Sequence, residues 1–292
     1  MTAYDLGFRL GPRINAAGRM DAARAVVELF DTRDSAVARR IAEHLDARNE
    51  ERKSVQQQII DLALAELGDS KDAKVAVIEG SGWHRGVIGI AASKIAERLN
   101  RPCVVLSIDG DVAHGSGRSI EAYHLLNGLT TCADLFEKFG GHSHAAGITI
   151  RPDRIGEFRR RLNEHAASCL TAEDLEHSVA IDLDLPAESI GFPLARELQA
   201  LEPFGAGNVR PVFATRNLRL LSEPVVLKDR HLKLRLASAQ NRPLEAVWWN
   251  CIETVGQTPS LQGSIELAYS LELNAWNDEY RMQLGVVDLR VQ

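Results

Sequence analysis

Apolar positions along the chain fall into three successive patterns. Over residues 34–67, Val37, Ile41, Leu45, Val55, Ile59, Leu62 and Leu67 recur at roughly helical spacing, which predicts one long helix. The stretch "DARNEERKS" (46–54) in its middle is almost wholly polar. About 33 residues rising about 1.5 Å each span about 50 Å. A thin apolar stripe with a polar centre reads as a connector between domains.

Strand and helix signals then alternate. "KVAVIEG" (74–80) and "CVVLSID" (103–109) are short β-branched runs that predict strands, and "ITIRP" (148–152) predicts a third. Helices are expected over 90–100, near 121–138 and over 153–168. Between them lie three Gly-rich segments read as loops: "SGWHRGVIG" (81–89), "HGSGRS" (114–119) and "FGGHSHAAG" (139–147). This alternation predicts a sheet flanked by helices. From about residue 178 the texture changes to short strands with polar turns: "HSVAIDLDL", "PVFATRNLRLL", "HLKLRLA", "PLEAVWW", "GSIELAYSLELN" and "YRMQLGVVDLR", with one helix near 187–200. Such a run predicts a small barrel.

Composition narrows the class. The chain has 292 residues, 45% hydrophobic and 25% charged, as soluble globular proteins do. It holds no long apolar run of the kind that spans a membrane, and no secretory leader is expected. Its four cysteines, Cys103, Cys132, Cys169 and Cys251, form no C-x-x-C pair, so a reducing, cytoplasmic setting is expected. The net charge of −6 argues mildly against nonspecific nucleic-acid binding. Residues 209–243 run the other way, with eight basic side chains against two acidic ones. Arg210, Lys228, Arg230, Lys233 and Arg235 are therefore candidate contacts to single-stranded nucleic acid on a basic barrel.

The glycine-rich segments carry the other candidate chemistry. Glycine lets backbone N–H groups converge on an anion. In "GSGRS", the Ser116 and Ser119 hydroxyls, the Gly117 backbone and the Arg118 fork could grip a phosphate. Gly140, Gly141 and His142 form a second cradle, and Trp83, His84 and Arg85 stand just before a helix N-terminus. Near the N-terminus "LGPRINAAGRM" (10–20) reads as a tight turn, with Arg13, Asn15 and Arg19 as phosphate grips. Each also has a structural alternative: a solvated turn for the loops, a core position for Trp83, ion pairs with Asp5 or Asp21 for the arginines. His142 and His144 lack a nearby carboxylate and make a poor metal site.

In order, "LGPRINAAGR", "GWHRGVIGIAASK", "GSGRS", "FGGHSHAAG", "EPFGAGN" and "DRHLKLRL" resemble the C-terminal half of RecJ, the single-strand-specific 5′→3′ exonuclease family of the DHH superfamily. The likeness continues into "YRMQLGVVDL" (280–289). It implies a mixed α/β and all-β architecture: residues 1–33 the tail of a DHH domain, 34–71 the connector helix, 72–172 a DHHA1 domain and 177–292 an OB-fold barrel. It implies single-stranded DNA as partner, with a single-strand-binding protein and a RecQ-type helicase as further partners, and Mn²⁺ or Mg²⁺ in the full-length enzyme. No Asp-His-His triplet of the family's two-metal site occurs here, and the Asp182/Asp184 pair falls on a predicted barrel strand. The expectation is thus a portion that binds DNA without holding metal or cutting. Two alternatives are a non-catalytic nucleic-acid-binding or scaffold protein and a DHH phosphodiesterase acting on short oligonucleotides.

Overall fold

The computed structural model describes residues 5–19, 23–67, 73–238, 243–252, 261–276 and 279–292. The chain divides into two compact units, residues 1–177 and 178–292, each with its own core.

In the first unit, "LGPRINAAGR" is not a turn. A short π-helical stretch, Asp5–Leu10, runs into helix α1 (Gly11–Arg19), and α2 (Ala23–Asp31) follows. Burial outweighs the roughly 1 kcal/mol that a glycine costs a helix. Ala16 and Ala17 are fully buried, and Ala17 packs on Ile41 and Leu45 of the long helix α3 (Ser35–Leu67). Further along, Ile59, Ile60 and Ala63 enter a second cluster, while Leu62 is 58% exposed. The polar middle of α3 separates these two contacts and is laced by Arg48–Glu51 and Lys53–Glu50 ion pairs, each at 2.7 Å. Residues 68–71 of the expected connector lie outside the described residues.

A five-stranded sheet follows, in the order β1-β2-β3-β5-β4: β1 (Ala76–Ser81), β2 (Cys103–Asp109), β3 (Val112–Arg118), β4 (Phe136–Gly141) and β5 (Ala145–Ile150). Only β1 and β2 are parallel. Helix α4 (Arg85–Leu99) and α3 cover one face through Val87, Ala91, Ile95, Cys103 and Val105. Helices α5 (Leu125–Thr130) and α6 (Ile155–Cys169) cover the other through Leu125, Phe158, Val104 and Ile148.

Four expectations change here. Helix α4 starts at Arg85 rather than residue 90, because the His84 ring caps it, Nδ1 accepting from the Gly86 amide at 3.1 Å. "GSGR" is strand, not loop: Gly115 and Gly117 turn toward the α5/α6 side, where a Cβ would meet Ile148 at 2.6 Å and Leu125 at 2.7 Å. The expected helix over 121–138 shrinks to α5 and one 3-10 turn (Ala133–Leu135), giving way to β4. "FGGHSHAAG" is the β4–β5 hairpin rather than a free loop, with Gly141 at φ +150°. A Cβ there would lie 2.3 Å from the Ala145 carbonyl oxygen, so the bend needs glycine.

Among its described residues the second unit holds seven strands ordered β6-β7-β11-β12-β10-β9-β8: β6 (Leu183–Asp184), β7 (Phe213–Leu220), β8 (Val225–Leu227), β9 (His231–Ala237), β10 (Pro243–Trp248), β11 (Ile265–Trp276) and β12 (Glu279–Val291). Strand β7 also pairs with β9, so the pairings β7-β11-β12-β10-β9-β7 return on themselves. "HSVAIDLDL" contributes only the two residues of β6, and β8 had no counterpart in the sequence pattern. The expected single helix near 187–200 is a 3-10 turn (Ala187–Ser189) and helix α7 (Phe192–Gln199), whose Leu194, Ala195 and Leu198 join the core of Leu232, Leu234, Leu267 and Tyr269. In "EPFGAGN" the Asn208 amide donates to the Leu201 and Pro203 carbonyls, at 2.8 and 3.0 Å.

Candidate nucleic-acid interface

The alternation of β3 builds the first site. Gly115 and Gly117 turn into the core, so Ser116 and Arg118 project on the α4 face. Ser116 stands beside Val105 of β2 and Gly147 of β5, and Gly147 beside Gly140 of β4. Helix α4 covers the β1–β3 side of this row. At Gly140 a Cβ would meet nothing, and at Gly147 only the Gly115 carbonyl oxygen at 3.9 Å, which leaves a strip of bare backbone.

Helix α4 borders the site closely. A Cβ on Gly89 would lie 3.0 Å from Ser116 Oγ and 3.2 Å from an Arg118 terminal nitrogen. Arg118 donates to Ser116 Oγ at 3.1 Å and to the Gly117 carbonyl at 2.7 Å. Both acceptors are neutral. Arg19, at the end of α1, donates to the Gly86 carbonyl at 3.2 Å. Its own carbonyl presses on Gly86, where a Cβ would sit 2.3 Å away. Arg52, from the polar middle of α3, donates to Asn49 Oδ1 at 3.0 Å and to Gln56 at 2.9 Å; Asn49 is 2% exposed.

Arg19 repels both Arg118 and Arg52. Burial, then the charge of Arg19, pulls the Arg118 pKa below the ordinary arginine value. Burial and Arg19 lower Arg52 likewise, and Glu50 opposes them. The shifts leave Arg52 and Arg118 charged, since a guanidinium is not deprotonated in proteins. Glu50 is itself held by Lys53, and among the described residues no carboxylate is hydrogen-bonded or ion-paired to Arg19, Arg52 or Arg118. Three clustered cations facing neutral acceptors, beside a helix N-terminus, make a ready site for an anion. Beyond Arg118 a cleft of about 370 Å³ opens between α4 and the β3 end, lined by Ser93, Asn100, Ser119, Glu121 and His144.

The remaining sequence candidates divide. Arg13 is ion-paired to Asp46 of α3, a partner other than Asp5 or Asp21. Asn15 is exposed one turn before Arg19 on the same side of α1. Trp83 is half-buried over Gly80 and packs at the edge of the α3/α4 cluster. His84 caps α4, and Arg85 approaches Asp109 at 3.6 Å. Ser119 donates to the Tyr123 carbonyl at 2.7 Å, and the His142 amide closes the hairpin onto Ala145 at 2.8 Å. Gly117 belongs to the core packing and cannot cradle a ligand from there. Arg52 is the residue the sequence reading missed; its signal was a charge within the one stretch of α3 that had no apolar stripe.

In the second unit the basic surface is partly spent. Arg216 pairs with Asp184 at 3.3 Å and Glu266 at 2.8 Å, and Lys233 with Glu245 at 2.9 Å. Arg210 meets Glu202 at 3.4 Å and lies over the Phe204 ring at 4.6 Å. Lys228, Arg230 and Arg235 are exposed, the first two flanking the β8–β9 turn.

Comparison with known proteins places both units. Residues 72–168 match the DHHA1 domain, and residues 181–288 match the RecJ OB domain. The class is therefore an α/β DHHA1 domain followed by an OB domain. Along nearly its whole length the chain is similar to RecJ proteins. It is 34% identical over 98% of its length to the single-stranded-DNA-specific exonuclease RecJ of Bacillus subtilis, covering 37% of that protein. With the Dickeya dadantii RecJ it shares 38% identity over 99% of its length, covering 52% of that protein. The crystal structure of Thermus thermophilus RecJ in complex with Mg²⁺ matches all of this chain at a TM-score of 0.82 and 29% identity, over 44% of that chain. The Mn²⁺ complex of the same protein matches at 0.83, over 42% of its chain. This chain thus spans about half the length of the curated relatives, or less.

Metal is a property of those relatives' structures. Among the described residues, no three His, Cys, Asp or Glu side chains come together in a way that holds a metal ion. Asp184 is ion-paired to Arg216, Asp182 accepts from the Val212 amide, and Asp109 and Asp111 flank the β2–β3 turn. These residues do not fit a two-metal site. No helix among the described residues is long and apolar enough to cross a membrane.

Proposed function

We infer that this chain serves a RecJ-type 5′→3′ exonuclease as a binder of single-stranded DNA, gripping the phosphate backbone in its DHHA1 unit and collecting the strand on its OB unit. The observation that carries this reading is a set of arginines: Arg19 lies near enough to both Arg52 and Arg118 to lower each, no carboxylate among the described residues pairs with any of the three, and a strip of bare glycine backbone lies beside Arg118. A phosphodiester offers the charge the trio lacks, and bare backbone admits a sugar-phosphate chain closely. The family supports single-stranded DNA over other anions, since its curated relatives are single-stranded-DNA-specific exonucleases. Residues 1–33 are read as part of a DHH domain. Phe8, Val27 and Phe30, 72%, 68% and 75% exposed, are apolar surface that such a domain would cover. A single-strand-binding protein and a RecQ-type helicase are the protein partners this reading implies.

Hydrolysis by the two-metal route needs clustered carboxylates and imidazoles. The chain alone is therefore expected to bind without cutting. The test uses 5′-labelled single-stranded DNA with Mn²⁺ or Mg²⁺ and the purified chain. Binding without release of mononucleotides is expected; EDTA-sensitive release that copurifies with the chain would overturn the non-catalytic half of the reading. Absence of binding at low salt would overturn the other half.

A further inference from the structure

We propose that Trp249 is a stacking platform for a nucleobase on the OB unit, an inference that rests on the single-stranded-DNA reading above. The pairing order of the closed circuit decides which strands matter. Counted along the chain, β7, β9, β10, β11 and β12 pair as first-second-third-fifth-fourth-first, with third and fifth parallel. In OB folds the sheet face of the second and third strands takes oligonucleotides. Trp249 stands at the end of the third strand, β10, against the start of the second, β9.

The doublet Trp248-Trp249 splits between core and solvent. Trp248 is 9% exposed and sits opposite Leu232; Trp249 is 50% exposed. In the turn after β10, the half-bare indole offers a flat apolar face on which a base can stack. The backbone that follows it is tied down twice. The Asn250 amide donates to His231 Nδ1 at 2.9 Å, and the Ile252 amide to the Arg230 carbonyl at 3.2 Å. Cys251 next door is fully buried. The His231 ring meets the indole edge-to-face, 4.9 Å between centroids at 72°, so the indole keeps one orientation. A ring held in this way loses little freedom when a base stacks on it.

The surroundings select a nucleic acid rather than an apolar peptide. Lys228, Arg230, Lys233 and Arg235 lie on the β8–β9 turn and along β9, against Asp229 and Glu245. Lys228 and Asp229 both have positive φ, 52° and 54°, a tight turn that lifts Lys228 and Arg230 to the edge of the patch. Cations around an aromatic plane match a base with its phosphates, and every base has a π face, so the platform is indifferent to sequence.

The experiment measures binding of the full 292-residue chain to an oligothymidylate and to the same strand carrying abasic sites, as a function of salt. Trp249→Ala is expected to weaken oligothymidylate binding about 5- to 100-fold. The dependence of log K on log salt should be unchanged, because stacking releases no counterions. Trp249→Phe should recover much of the loss, and both variants should match the unmodified chain on the abasic strand. Near-UV circular dichroism confirms that the variants are folded. Unchanged affinity in Trp249→Ala, or an equal loss on the abasic strand, overturns the platform while leaving the single-strand-binding reading intact. Failure of the unmodified chain to bind either strand overturns both.

Discussion

At the scale of single residues, the site depends on what each side chain has for a partner. Arg118 donates only to neutral acceptors and feels the charge of Arg19. Its loss should therefore cost ligand, not fold. Arg118→Ala is expected to weaken single-stranded DNA binding roughly 10- to 100-fold, the effect of losing about 1.5–3 kcal/mol in a hydrogen bond to a charged group. Its unfolding midpoint should barely move, and Arg118→Lys should recover part of the affinity, since an ammonium lacks the planar fork. Thermal unfolding and a binding titration on one preparation check both. Two glycines give a contrasting pair. Gly18 lies in α1 with open space where a Cβ would go, so Gly18→Ala should stabilise by about 0.5–1 kcal/mol through helix propensity. Gly86 lies under the Arg19 carbonyl, so Gly86→Ala should destabilise by about 1–3 kcal/mol by overpacking. It should also weaken DNA binding by displacing Arg19. Urea unfolding of the two variants reads the opposite signs. "GPRINAAGR" and "GWHRGVIG" show glycines in both segments; that one is idle and the other is a contact point is visible only once α1 is laid across α4.

At the scale of elements, the long helix α3 was legible because its stripe spans many turns, and its extent agrees with the periodicity. The residues it buries were less legible. Leu62 fits the helical spacing yet is exposed, while Ile60 and Ala63 are buried, because α4 and β1 approach from the side that Ile59 faces. Ile59→Ala should cost about 2–5 kcal/mol, and Leu62→Ala should stay within about 0.5 kcal/mol, by urea unfolding. Strand β3 was read as a loop for a local reason. Gly and Ser have poor strand propensity, and nothing in "HGSGRS" shows that its glycines admit Leu106, Ile148 and Leu125 from neighbouring strands and α5. In the second unit Glu272 of β11 gives a pH signature. Burial, the largest effect, pushes its carboxyl above the usual range, while Arg210 and a hydrogen bond from Ser270 pull it down. A raised folded-state pKa means the folded chain binds the extra proton, so stability falls as pH rises through the window above the ordinary carboxylate value. Glu272→Gln should melt higher than the unmodified chain at pH 7, with the difference vanishing at acid pH.

At the scale of the whole molecule, the net charge of −6 conceals two surfaces able to attract phosphate. Each phosphate neutralised on a single strand contributes about −0.7 to the slope of log K against log salt. Three or four contacts predict a slope of about −2 to −3. Arg52→Ala and Arg118→Ala should each make it shallower by about 0.7, whereas Arg13→Ala, which removes a cation already paired to Asp46, should leave it unchanged. Fluorescence anisotropy over a salt series measures all of these.

The sequence alone determined the order of the architecture, because that information is periodic and local: a long amphipathic helix, then alternating strand and helix, then a run of strands. It also determined the motifs that carry the family resemblance. Only the tertiary structure decided which charges are available. Arg13 and Lys233 looked as free as Arg19 and Arg118, but a partner carboxylate 33 residues away, or across a strand pair, cannot be read from spacing. Arg52 lay hidden for the converse reason: a cation in a polar stretch looks solvated until α1 brings Arg19 near it. Charge pairing is a property of distance in space, and the chain pattern records distance only along itself.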